Sequence, residues 1–285
     1  MRHHIGKSRT NTRRQFIALL LWLTPTSILG ATEGLHISGT EFQFHHADRS
    51  VLRSRDLIGA ILDLGDSLQL KITAVERDPR DATGEVILHT FMTRVAGGEW
   101  SNPCMPDADG RRVGFPLPGY WTDSGTHLND RSRFTLECSS GFRAKCVRFG
   151  YHYWKPGPNG ENLHPYYQAC TRLVPADYCG TGVGTTRNGE VIDIYDNIGI
   201  QRRDPEHSEL TFEAAWTPSG AACVHHVRVP ENLDLRKLQD SCPAFAQRKI
   251  GTSCTEASAK KLRGVLLFNR SRYRPVDNSL TPAQN

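Results

Sequence analysis

The sequence predicts an α+β fold dominated by strands: a small N-terminal β-sheet region followed by a disulfide-rich α+β domain. Three observations predict it. Apolar residues alternate with polar ones in several stretches between residues 33 and 268, only two segments carry clear helical spacing, and all eight cysteines fall between Cys104 and Cys254. An even cysteine count confined to the later part of a chain reads as a disulfide framework, which belongs to an oxidising compartment.

The N-terminus supports export. Arg2, Lys7, Arg9, Arg13 and Arg14 precede or enter an apolar run from Phe16 to Leu23, and small residues follow at Gly30-Ala31. A basic stretch, a short apolar core and a small-residue exit make a signal peptide over residues 1–31. The run is shorter than the about 20 residues of a permanent membrane anchor, so none is expected in the mature chain. Thr12-Arg13-Arg14-Gln15-Phe16-Ile17 resembles a twin-arginine signal and a bacterial source, while the greasy run also suits the general secretory route. The chain holds 35 basic and 30 acidic residues, and five of the basic ones lie in the leader. The mature chain is therefore neutral, which removes the electrostatic case for a nucleic-acid partner.

Within residues 33–98, Leu68, Leu70, Ile72 and Ala74 alternate as in a half-buried strand, Asp78-Pro79-Arg80-Asp81 supplies a turn, and residues 85–91 supply the partner. Residues 56–62 suit a short helix or a buried strand equally. The turn-forming stretch 96–103 marks the seam. Beyond it, residues 100–270 form the cysteine-rich domain, and 275–285 a loose tail. Residues 133–138 alternate as a strand, and His164–Leu173 suits a helix with Pro165 in its first turn, stopped by Pro175. Tyr166, Ala169, Cys170 and Leu173 share a face of that helix. Asn188-Gly189 signals a hairpin before residues 191–195. Leu210, Phe212, Ala214 and Trp216 make a strand that turns at Pro218-Ser219-Gly220, with Cys223, His225 and Val227 on its return. A second helix holds Leu235, Leu238 and Cys242 with Asn232 as its N-cap, and 264–268 is a late strand.

The run Ala144–Tyr151, then Tyr167-Gln168-Ala169-Cys170-Thr171-Arg172, then Val174-Pro175-Ala176-Asp177-Tyr178-Cys179-Gly180, resembles the ADYC family of exported bacterial proteins, whose tetrad stands at Ala176–Cys179. Residues 192–196, 212–216 and 266–270 fit the same series. The resemblance covers roughly residues 100–270 and, more weakly, the β-rich region before them. It implies an exported, cysteine-rich domain of uncharacterised function and brings no catalytic residue with it.

Candidate chemistry must therefore come from the residues. Cys179 as a nucleophile needs a base, His152 or His164, and a reduced thiol; among eight cysteines in an oxidising compartment, pairing is favoured. Cys104, Cys138, Cys146, Cys170, Cys179, Cys223, Cys242 and Cys254 are all assigned to bridges. Local spacing would join Cys138 to Cys146, Cys170 to Cys179 and Cys242 to Cys254, among 105 possible connectivities. Zinc ligands come as closely spaced cysteine pairs, and here the tightest spacing leaves seven residues between Cys138 and Cys146. His45-His46 and His225-His226 are adjacent pairs that a strand would split to opposite faces. No metal or cofactor is expected. Asp177 follows a helix end, where the dipole disfavours its charge, so Arg172, Arg148 or a run of N–H groups should hold it. It organises its loop or acts as a general acid or base, and the first role leads. Asp193 and Asp196 form a two-carboxylate site or cap a turn with Asn197. Asp107-Ala108-Asp109-Gly110 lacks full calcium-loop spacing and reads as a turn. Gly180–Gly184 reads as a connector.

The aromatics Phe149, Tyr151, Tyr153, Trp154, Tyr166 and Tyr167 suit either a core or a stacking surface, with Tyr151, Trp154 and Tyr167 as the binding candidates. The leading functional reading is a non-catalytic, periplasmic or secreted module that binds a glycan or protein of the envelope or extracellular space. The alternative is a hydrolase of an envelope polymer using Asp177, Asp193 or Asp196 beside His152 or His164.

Overall fold

Burial of alternate residues builds the first sheet. Leu70 and Ile72 project from the strand Leu68–Arg77, opposite Thr93 and Phe91 of the strand Ile87–Val95, and both are fully buried. Each such side chain contributes about 2 kcal/mol through area removed from water. In this computed structural model, which describes residues 34–274 except residue 82, together with the strand Ile28–Leu29, the sheet has six strands. Their order is Ile28–Leu29, Ile61–Asp63, Leu68–Arg77, Ile87–Val95, Gly114–Pro118 and Phe134–Cys138. The first pair is parallel and the rest antiparallel. The sheet so carries strands from both sides of the 96–103 stretch. Apart from Ile28–Leu29, the expected leader lies outside the described residues, as does the 275–285 tail.

A three-stranded meander (Leu35–Ser38, Glu41–His45 and Val51–Arg53) adds Phe42 to the core made by Leu57, Leu62, Leu70, Ile72 and Phe91. That core contains no cysteine. Residues 56–62 form neither a helix nor one long strand. A turn spans 54–59 and the short strand Ile61–Asp63 follows, with Leu57 and Leu62 buried at the two ends.

The main core lies beneath a second sheet, antiparallel, ordered Ile192–Asp196, Leu267–Ser271, Thr211–Thr217, Gly220–Val224. Helix α2 (His164–Leu173) packs on it, and helix α1 (Phe142–Arg148) packs on α2 and on the strand Phe134–Cys138 of the first sheet. Helix α2 matches its expected span, but every residue from Tyr166 to Leu173 is buried instead of a single face, because α1 covers the side that the sheet leaves open. Val174 keeps helical angles (φ −61°, ψ −47°) despite the proline after it. The turn away comes at Ala176, whose φ of +57° is the left-handed conformation that commonly ends helices. Asn188-Gly189 does turn, with Gly189 at φ +88°, but makes no hairpin: residues 192–196 pair with Leu267–Ser271. The return strand stops at Val224 because a bulge at Glu213 draws the His225 N–H to the Glu213 carbonyl at 2.7 Å. Helix α3 (Leu235–Ser241) is capped by Asp234, which accepts the Lys237 N–H at 2.8 Å; Asn232 sits in the preceding turn.

Three disulfides link Cys104 to Cys138, Cys146 to Cys170 and Cys223 to Cys254. The three local pairings expected from spacing do not form. Tertiary packing overrides chain proximity: Cys146 on α1 faces Cys170 on α2, so the bridge runs between helices. Cys179 and Cys242 are unbridged. No described helix is long and apolar enough to cross a membrane.

Candidate functional site

The tetrad at Ala176–Cys179 is a structural node. Asp177 is buried, and its carboxylate is fully used. One oxygen accepts the N–H groups of Gly180 and Thr181 at 2.9 and 3.0 Å; the other accepts the Gly182 N–H at 2.8 Å and Arg172 Nη1 at 2.7 Å. Gly180 and Gly182 have φ of +74° and +89°, which turns their amides toward the acid. Arg172 and a run of N–H groups were both among the expected holders of this charge, and both act. Arg148 does not; it binds Asp78 at 2.5 and 3.0 Å.

Tyr178 is buried and stacks on Trp216, with ring centroids 5.2 Å apart. Its hydroxyl donates to Glu213 at 2.9 Å and accepts the Arg228 N–H at 2.9 Å. Arg228 and Glu213 form a bidentate pair, both bonds 3.0 Å, with almost no exposure on either side. Arg228 also donates to the carbonyls of Leu173 and Val174 at 3.0 and 2.8 Å, satisfying the end of α2. Burial would raise the Glu213 carboxyl, yet the Arg228 charge and hydrogen bonds hold it below its ordinary value; Arg228 is raised in turn, against its own desolvation. Sequence reasoning missed this pair. The available signal was a lone acid inside an apolar strand, Phe212-Glu213-Ala214-Ala215-Trp216, and a lone base between Val227 and Val229.

The other candidate acids and histidines are spent separately. Asp193 takes Arg270 at 2.7 and 2.5 Å and the Asp204 N–H. Asp196 caps the 198–201 turn through four N–H groups and accepts the Tyr151 hydroxyl at 2.9 Å. His152 lies 3.2 Å from Glu85, and His164 Nε2 lies 3.0 Å from His127 Nδ1. Burial lowers the pKa of His152, His164 and His127, the last to about 4, keeping all three neutral at pH 7. No hydrogen bond or ion pair joins His152 or His164 to Asp177, Asp193 or Asp196 among the described residues, so the structure does not assemble the expected acid–histidine site.

Tyr151 and Tyr167 are wholly buried and cannot present a stacking surface; this corrects the binding patch expected there. Tyr167 packs among Tyr153, Trp121 and His127, while Tyr151 lies near Tyr166. Half-buried Trp154 stacks on His152 and lies against the Gly39 turn, whose glycine leaves room for the indole. Tyr151, Tyr153, Tyr166 and Tyr167 belong to the main core, in one cluster with the buried residues of α1 and α2.

An open cleft of about 990 Å³ lies elsewhere, between the Asp107 loop, α1 and the 186–192 segment, with Val174, Pro175 and Arg228 among its lining. The tetrad node therefore sets part of its wall. Phe142 and Phe149 offer half-buried aromatic faces there, while the carboxylates are engaged: Glu190 by Arg187 and Arg274, Asp107 by Ser139 and the loop amides. Lys145 is exposed on α1 and has no carboxylate partner among the described residues.

A family model for the ADYC domain matches residues 38–230, so the match takes in the N-terminal β region from Ser38 onward and stops before α3 and the last two cysteines. No curated protein and no solved structure shows a match. Spanning well over half of the chain, and including the loop that Asp177 and Tyr178 pin to the Glu213–Arg228 pair, the match places this protein in the ADYC domain family.

Proposed function

We propose that this is an exported bacterial protein, held together by disulfides, that binds a ligand in the envelope or extracellular space without catalysing its conversion. The observation that carries the reading is the 990 Å³ cleft, roomy, partly aromatic and lacking an uncommitted carboxylate among its lining residues. A hydrolase needs an acid or base with spare hydrogen-bonding capacity beside its partner. Here Phe142 and Phe149 would receive the apolar face of a glycan or peptide, and Lys145 an acidic group on it. Export through the 1–31 leader fits the disulfides, which persist in oxidising compartments. Cleavage there would also remove the Ile28–Leu29 edge strand.

Two measurements test this. N-terminal sequencing of protein recovered from the periplasm and medium should find a start near residue 32; an intact Met1 in the cytosol refutes export. Calorimetric titration with uronic-acid and neutral oligosaccharides, and with acidic and neutral peptides, should find an acidic binder that Lys145→Glu weakens at least tenfold. Binding indifferent to both Lys145→Glu and Phe149→Ala, or turnover of any probe, refutes the cleft reading.

A further inference from the structure

Two of the eight cysteines, Cys179 and Cys242, are left outside the three bridges. Cys179 of the tetrad loop is a neighbour of Cys242, the residue that ends α3, and packs against the core cluster that holds it. Cys242 is 3% exposed inside the main core, and Cys179 packs against that core from a loop that leaves it half-buried. The loop is not free to swing away, since Asp177 is fixed by four bonds and the Tyr178 carbonyl accepts the Ala221 N–H at 2.9 Å.

We propose that Cys179 and Cys242 close a fourth disulfide by exchange with a small-molecule or protein disulfide, and that this bridge staples α3, outside the family match, onto the tetrad loop. The accessible partner reacts first. The Cys179 thiolate attacks one sulfur of the oxidant disulfide, expels a thiolate and leaves a mixed disulfide. Cys242 then loses its proton, attacks the Cys179 sulfur, forms the Sγ–Sγ bond and expels the second thiolate. The protein gives up two protons and two electrons, and the oxidant disulfide becomes two thiols. Burial, with Cys242 and Asp177 as neighbours, pushes the Cys179 thiol up to about 12 against the opposing pull of Arg248. Thiolate is then scarce at neutral pH, and the bridge closes slowly once the rest has folded. With Cys223–Cys254 beside it, the segment beyond residue 230 is tied at two points to the region the family shares.

The test uses the full chain, reduced, unfolded and refolded in a reduced and oxidised glutathione mixture, so that it is independent of the export route. After equilibration the protein is denatured, alkylated, weighed intact and mapped by proteolysis without reduction. No alkylated cysteine, and a linked peptide pair containing Cys179 and Cys242, is expected. Two alkylated cysteines, or Cys179 joined elsewhere, overturns the proposal. Two variants check the order of attack by intact mass. Cys242→Ser should retain one glutathione on Cys179, while Cys179→Ser should leave buried Cys242 unmodified. The reverse pattern overturns that order.

Discussion

Replacing Asp177 by asparagine changes one atom of the tetrad and tests what its charge does. The carboxylate accepts four N–H donors, two on each oxygen. An asparagine that keeps its oxygen toward Gly180 and Thr181 turns its own amide N–H groups toward the Gly182 N–H and the Arg172 guanidinium. Two bonds to a charged acceptor are lost, each about 1.5–3 kcal/mol, and a buried cation loses its counter-ion. Gly180–Gly182 can recover water, because the loop is partly exposed, so we expect a loss of about 3–4 kcal/mol. For a chain this size that lowers Tm by roughly 6–16 °C. Guanidinium unfolding under non-reducing conditions, followed by tryptophan fluorescence, measures it. An Arg172→Met variant and the double variant complete a cycle, whose coupling should exceed about 1 kcal/mol. A stability within 1 kcal/mol of the parent, together with lost ligand binding or lost turnover, would refute the structural role and return Asp177 to the candidate site.

Further outcomes follow from the same geometry. Glu213→Leu strands Arg228 as an uncompensated buried charge and should cost about 3–5 kcal/mol, whereas Glu213→Leu with Arg228→Leu should cost less than the single change, measured by the same unfolding curves. Removing the Cys223–Cys254 bridge with serines frees a loop whose ends are 31 residues apart, worth about 3–4 kcal/mol by loop entropy; an unchanged midpoint would show strain cancelling that gain. His89 and His127 are held by burial at about 4, below the ordinary 6.5. Their unfolded rings take up protons first, so stability is complete above pH 6.5 and falls as pH drops toward 4, by at most about 3 kcal/mol for each. Urea midpoints at pH 7, 5.5 and 4.5 should decline in the parent and decline less in His127→Gln; parallel profiles would exclude His127 as a source.

Local features were legible where they depended on neighbours along the chain. Helix α2 keeps the span its proline and apolar spacing indicated, and the Leu68–Arg77 and Ile87–Val95 pair follows its alternation. Asp177 was recognisable as a carboxylate needing partners, because a helix end is an unfavourable place for it. What failed were statements about distance. Tyr151 and Tyr167 have the composition of a stacking face, and only tertiary packing, against Tyr166 and Asp196 for the first and Trp121, His127 and Tyr153 for the second, buries them. The three local disulfides looked reasonable by spacing, yet a cysteine pairs with whichever sulfur the fold brings within reach.

By itself, the sequence determined a strand-dominated α+β chain, its cysteine-rich portion and its family signature, because periodicity, turn residues and motif order are written locally. Only the tertiary structure decided that Glu213 meets Arg228, that Cys179 meets Cys242, and that the open cleft is walled by α1 and the 186–192 segment. Each joins segments remote in sequence, whose proximity arises from burying apolar area across the whole domain, a sum to which no single stretch holds the answer.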